Sequence, residues 1–171
     1  MIKAVIFDVG GVLKVETDNA IRSDVRETLG IAPEAFDGPW RILTDKLGRG
    51  IITEEQFWPR LHGLTGATRP LPRLSLLMRE YEKGYLINQD VMEIVERLRK
   101  ASYKTAILSN TIATHAEFNQ DRGLFDGFDP VILSHEVGLR KPVPEIFTLT
   151  IDALQLQREE TVLVDDLKKN V

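Results

Sequence analysis

The chain has 171 residues, no cysteine, and a net charge of −4 from 22 Lys plus Arg against 26 Asp plus Glu. Its 43% hydrophobic and 28% charged residues place it among globular domains and outside disordered or fibrous classes. The charges are mixed rather than gathered in a basic stripe, which argues against nucleic acid as a partner. The lack of cysteine excludes disulfides and thiolate metal sites, and no apolar run is long enough for a signal peptide or a membrane span. The expectation is a soluble, cytoplasmic protein with neither a nucleic-acid nor a membrane partner.

In chain order, the first predicted element is a strand, "AVIF" (Ala4 to Phe7), which ends at Asp8 and is followed by Gly10 and Gly11. Residues 14–85 carry no convincing strand and several capped helical stretches. In "TEEQF", Thr53 can accept from the Gln56 amide while Gln56 reaches back, a capping box. The Pro-rich "RPLPRL" (Arg69 to Leu74) then separates one helix from the next.

From about residue 86 strands and helices alternate. "NQDVMEIVERLRK" places Val91, Ile94, Val95 and Leu98 on one helical face. "TAIL" (Thr105 to Leu108), "PVIL" (Pro130 to Leu133) and "TVLV" (Thr161 to Val164) are near-continuous apolar runs, as in strands buried on both faces of a parallel sheet. Between the last two, "VPEIFTLTIDALQL" gives a looser helical face. The prediction is an α/β fold: a Rossmann-like doubly wound parallel sheet from residues 1–13 and 86–171, short at its C-terminal end, with a small α-helical cap inserted at 14–85.

In such a sheet ligands bind beyond the carboxyl ends of the strands. Here those ends carry Asp8, then Ser109, Asn110 and Thr111, then Asp165 and Asp166. Each has an ordinary reading as a helix cap or turn residue; their convergence on one edge is the stronger signal. Lys141, in "GLRKPVPEIF", supplies the fixed cation that crowded carboxylates and phosphate oxygens need to stay ionised.

Asp8 after an apolar strand, "LSNT" (Leu108 to Thr111), Lys141 in "RKPVPEIF" and "VLVDD" (Val162 to Asp166) resemble, in order, the four motifs of the haloacid dehalogenase-like (HAD) hydrolase superfamily. "RGIITEEQF", His115 and "LSHEVGLRKP" are most similar to the helical-cap branch that holds bacterial glucose-1-phosphate phosphatases and the N-terminal domain of mammalian epoxide hydrolase. The resemblance implies a Mg2+-dependent phosphohydrolase acting on a small phosphorylated substrate, with a sugar phosphate among the candidates. Asp8 would be the nucleophile that forms an aspartyl-phosphate. Ser109 and Asn110 would bond the phosphoryl oxygens, and Lys141 would charge-balance both Asp8 and the phosphate. The metal would be held by Asp8, the Gly10 main-chain carbonyl and Asp166, with Asp165 behind it or reaching it through water.

One position departs from the superfamily pattern. Where most of its phosphatases carry a second acid, two residues after the nucleophile, this chain has Gly10. General acid–base help is worth about 10²–10⁴-fold, so its loss implies slow turnover, a good leaving group, or a replacement among Glu16, Asp18 and His115. A haloacid dehalogenase, which needs no metal, and a catalytically weak scaffold or regulatory domain remain as alternatives. Arg60, Arg69, Arg73 and His62 in the cap could contact an anionic substrate, but are read first as a solvated face. The short C-terminus leaves the last strand uncovered, which reads either as a shortened chain or as a flank covered by a neighbouring subunit, as in a homodimer.

Overall fold

The computed structural model describes residues 1–15 and 21–171. Its centre is a four-stranded, wholly parallel sheet in the order β3-β2-β1-β4, formed by β1 (Ala4–Phe7), β2 (Lys104–Ser109), β3 (Val131–Leu133) and β4 (Thr161–Val164). Phe7 is paired with Ile107 on one side and Val164 on the other, so β1 lies between β2 and β4 and their carboxyl ends align. The family of folds is the predicted one, an α/β sheet with an inserted helical layer.

Period-two alternation divides the strand side chains between two cores. Phe7, Ile107 and Leu133 face one layer with Val95 of α5 (Gln89–Lys100) and Ala116 of α6 (Ala113–Asp121). Ala4, Ile6, Ala106 and Leu108 face the other, with Ile146 and Leu154 of α8 (Pro144–Leu154). The expectation of strands buried on both faces holds for β2 and fails for β4, where Val162 and Val164 remain 41% and 38% exposed. The reason is packing: only the Leu163 face of β4 lies on a helical layer, and Val162 and Val164 are on the other face.

The inserted helices are α1 (Ile21–Leu29), α2 (Pro33–Gly48), α3 (Glu54–Thr65) and α4 (Leu76–Lys83). They have a core of their own. Phe36, Trp40, Leu43 and Leu47 recur at helical spacing along α2 and meet Phe57 and Leu61 of α3. Phe57 is fully buried, its ring edge-on to both Trp40 and Trp58. The capping box forms as the sequence indicates, with Gln56 N donating to Thr53 Oγ1 at 3.3 Å and Thr53 N donating to Gln56 Oε1 at 3.3 Å.

Two adjacent chain segments join this layer to the sheet. Val15 N donates to Leu86 O at 2.8 Å and Asn88 N to Leu13 O at 2.9 Å, so the outgoing and returning connections are paired. A short helix α7 (Ser134–Val137), which the sequence did not announce, adds a third contact: Ser134 Oγ donates to Gly48 O at 2.6 Å and accepts from Thr111 N at 2.9 Å. Gly50 lies so close to α7 that a Cβ there would stand 2.1 Å from His135 O, and its φ of +66° also favours glycine.

Because the helical layer is centred on Phe57, Phe57→Ala is expected to cost about 3–5 kcal/mol, the range for emptying a large buried ring. Denaturant unfolding followed by tryptophan fluorescence measures this directly, since Trp40 and Trp58 flank the ring.

Candidate active site

The carboxyl edge of the sheet gathers the residues that the motifs single out. Asp8 follows β1, and its amide donates to Val164 O of β4 at 2.9 Å, which fixes it at the strand end. Its side chain is nearly buried: Oδ1 accepts from Val9 N at 2.7 Å, and Oδ2 lies 3.0 Å from Lys141 Nζ. Lys141, in the turn before α8, has no side-chain exposure and places the same Nζ 2.5 Å from Asp165 Oδ2. One ammonium thus bridges two carboxylates from different strands.

Asp165 is held from the other side as well. Asn170 Nδ2 donates to its Oδ1 at 2.8 Å and lies 3.0 Å from its Oδ2, and Leu167 N donates to Oδ1 at 2.9 Å. Burial alone would raise the pKa of Asp165, but hydrogen bonds from Lys141, Asn170 and Leu167 outweigh it and hold the carboxyl below its ordinary range. At Asp8 the balance goes the other way. Burial pushes its pKa up to about 6 against the opposing charge and hydrogen bond of Lys141. The two carboxylates sharing one lysine are therefore unlike: Asp165 is the firm anion, Asp8 the adjustable one.

Asp166 is exposed and lies under the loop after Asp8. A Cβ at Gly11 would stand 2.4 Å from Asp166 Cγ and displace that side chain, and the φ of +71° at Gly11 favours glycine. Asp8, Asp165 and Asp166 each present an oxygen within 4.8 Å of the others. Three carboxylates and no sulfur or imidazole form a hard donor set, suited to a small divalent cation that prefers oxygen.

The structure assigns Asn110 a task that the sequence did not suggest. Its Nδ2 donates to Lys141 O at 2.9 Å and its Oδ1 accepts from Lys141 N at 2.8 Å. Both ends of the amide grip the Lys141 backbone, and the second hydrogen on Nδ2 can still donate to another acceptor. Ser109, buried at the end of β2, lies beside it in the chain. Asn170 was missed by sequence reasoning; the available signal was an amide five residues after Asp165 in a short turn.

Of the three groups considered as a replacement for the acid absent at Gly10, Glu16 and Asp18 lie outside the described residues. His115 is occupied elsewhere. Its ring stacks on Tyr81 of α4 at 3.9 Å and 14°, and Tyr81 in turn donates to Asn119 Oδ1 at 2.9 Å. Burial lowers the His115 pKa to about 4, against a backbone hydrogen bond to Leu77 and with help from the Lys14 charge. It is a neutral ring in the seam between α4 and α6 and carries no proton to give near neutral pH. In the helical layer, Arg69 Nη1 donates to Glu27 O at 2.8 Å and His62 Nε2 lies 3.0 Å from Arg69 O, local ties consistent with a structural role, while Arg60 and Arg73 are exposed.

Residues 2–169 match the haloacid dehalogenase-like hydrolase family, and the chain belongs to it. It is similar to the D-ribitol-5-phosphate phosphatase of Bacteroides thetaiotaomicron, with 29% identity over 185 residues, 100% of this chain and 86% of the relative. It is also similar to bifunctional epoxide hydrolase 2 of Rattus norvegicus, 23% identical over 188 residues, which takes in 99% of this chain and 34% of that longer protein. Among solved structures, a HAD-family enzyme of Bacteroides thetaiotaomicron in complex with magnesium and inorganic phosphate shares the fold with a TM-score of 0.76 and 23% identity, over 99% of this chain and 87% of that one.

Two outcomes follow. Removing the lysine that bridges two enclosed carboxylates leaves their charge uncompensated, so Lys141→Ala is expected to lose about 3–5 kcal/mol of stability in denaturant unfolding. The His115 pKa is lower folded than unfolded, so at high pH both states are neutral and stability is complete. It falls as pH drops from about 6.5 towards about 4, because the unfolded chain takes up the proton first. The loss should approach roughly 3 kcal/mol, and the difference in unfolding free energy between wild type and His115→Phe, followed across that window, measures it.

Proposed function

We infer that this chain is a magnesium-dependent phosphohydrolase of small phosphorylated metabolites, polyol or sugar phosphates among them, working through an aspartyl-phosphate on Asp8. The observation that carries the reading is the Lys141 ammonium set 3.0 Å from Asp8 and 2.5 Å from Asp165, with Asp166 alongside. The similarity to a D-ribitol-5-phosphate phosphatase supports the substrate class, and the related fold seen with magnesium and phosphate supports the cofactor.

In this reading Asp8 Oδ attacks phosphorus and the bond to the leaving oxygen breaks; water then attacks phosphorus and releases inorganic phosphate, restoring the carboxylate. Lys141 keeps Asp8 ionised despite its burial and neutralises charge on the transferring group. Asn110 and Asp165 aim Lys141, the first through its backbone and the second through its ammonium. Ser109 donates its hydroxyl to a phosphoryl oxygen. Asp8, Asp166 and the Gly10 carbonyl would hold Mg2+, with Asp165 behind them, and the bound cation would supply positive charge to the phosphoryl oxygens. The helical segment 14–85 acts as a cap over the core formed by 1–13 and 86–171, and its underside selects the substrate.

The test is turnover of a panel of polyol, sugar and nucleotide phosphates with and without magnesium. Release of phosphate that a chelator removes, and that Asp8→Asn reduces to background, is the expected result. Lys141→Ala should lower kcat by at least about 10²-fold even where enough folded protein remains, as for loss of a preorganised charge at the reacting group. Chelator-resistant release of halide from a haloacid, with no phosphate release, would replace this reading with the dehalogenase one.

A further inference from the structure

Ser134 stands where the helical layer, the loop after β2 and the segment leading to Lys141 meet. Its side chain is wholly buried, and three backbone groups converge on its hydroxyl. Thr111 N donates to Oγ at 2.9 Å, while Gly48 O at the end of α2 and Thr111 O lie 2.6 and 3.0 Å away. A hydroxyl has a single hydrogen to give. The shorter contact takes it, so with α2 seated as observed the hydrogen goes to Gly48 O. With α2 displaced, the same hydrogen turns to Thr111 O.

Two other contacts seat the end of α2 on the same stretch of the core. Arg140 Nη1 lies 3.3 Å from Asp45 Oδ1, and a Cβ at Gly48 would stand 3.1 Å from the Arg140 guanidinium carbon. Gly50, just past the helix, rests on the His135 carbonyl. Ser134, His135 and Arg140 all belong to the segment 134–141 that ends at Lys141. On the other side Thr111 follows Asn110, whose amide holds Lys141 N and O. The path is continuous: Gly48 to Ser134, Ser134 to Thr111, Asn110 to Lys141, and Lys141 to Asp8 at 3.0 Å. Satisfying the end of a helix takes only a donor. Accepting from Thr111 N as well makes the same oxygen part of the loop that holds the lysine.

We propose that Ser134 is a positioning residue: through Thr111 and Asn110 it makes the setting of Lys141 against Asp8 depend on the seating of α2, so that turnover is tied to the position of the helical layer. This rests on the phosphohydrolase reading above, in which Lys141 neutralises charge on the transferring phosphoryl group. In that reading Ser134 acts through the loop rather than on the substrate. Its effect is felt where that charge is greatest, in the transition state, so its loss lowers kcat and kcat/KM together.

The experiment measures kcat and KM with magnesium for wild type, Ser134→Ala, Gly50→Ala and the double variant, with Asp8→Asn as the blank. The substrates are 4-nitrophenyl phosphate and whichever phosphate of the panel above wild type turns over fastest. Ser134→Ala is expected to lower kcat by about 10- to 10²-fold, the scale of a small misplacement in a catalytic site, with KM little changed. Gly50→Ala pushes the end of α2 off His135, where its Cβ would stand 2.1 Å from the carbonyl oxygen, and is expected to lower kcat in the same way. Once the Ser134 hydroxyl is gone, the seating of α2 no longer reaches the loop. The double variant should therefore be no slower than Ser134→Ala, a coupling that independent sites do not show.

Circular dichroism melts fix an assay temperature at which each variant is folded. A Ser134→Ala protein that melts earlier and keeps wild-type kcat overturns the proposal, since that is what a purely structural hydroxyl predicts. So does wild-type kcat in Gly50→Ala, or a double variant whose loss is the product of the single losses. Where Gly50→Ala does not fold, Asp45→Ala replaces it, opening the ion pair to Arg140 at an exposed carboxylate. Where Ser134→Ala does not fold, kcat of the variant on the α2 side decides. Absence of any Asp8-dependent hydrolysis in wild type removes the phosphohydrolase reading and the proposal together, whereas Asp8-dependent hydrolysis unmoved by these substitutions removes the proposal alone.

Discussion

One buried ammonium organises this protein's chemistry. Lys141 Nζ satisfies Asp8 from β1 and Asp165 from the end of β4, and the two acids could not share a nearly dry pocket without it. Everything around the lysine holds it in place. Asn110 clamps its backbone, Asn170 and Leu167 anchor its second carboxylate, and parallel pairing of β1 with β2 and β4 brings those contributors to one edge. A charge network of this kind fixes geometry more than it adds stability, and fixed geometry is what phosphoryl transfer requires of a protein.

The same network divides labour between like residues. Asp165 is bonded on every side and kept ionised, whereas Asp8 is buried with fewer donors and sits near pKa 6. Adjacent Asp165 and Asp166 also diverge, one enclosed against Lys141 and the other exposed beneath Gly11. Chemistry differs because surroundings differ, although the side chains are identical.

Much of this was legible in the amino-acid order. The runs Ala4 to Phe7 and Thr161 to Val164 coincide with β1 and β4, because short apolar stretches ending in turn residues have few other uses. The capping box at Thr53 was legible because both of its bonds are local. What escaped is what long-range contact decides. The half-exposed face of β4 depends on which helices pack against it, and the Asn110 clamp joins residues far apart in sequence. His115 looked like a candidate acid until Tyr81, brought over it by α4, turned it into a buried neutral ring. Gly10 and Gly11 could not be distinguished without knowing that one faces open space and the other a carboxylate.

In the proposed reaction an oxygen of Asp8 receives the phosphoryl group. Acid quenching during turnover of a phosphate ester, followed by peptide mass spectrometry, tests this most directly. The expected result is a phosphoryl group on the peptide containing Asp8, absent without magnesium and absent in Asp8→Asn. Steady turnover with no phosphorylated peptide, or with the phosphoryl group on another residue, would contradict it.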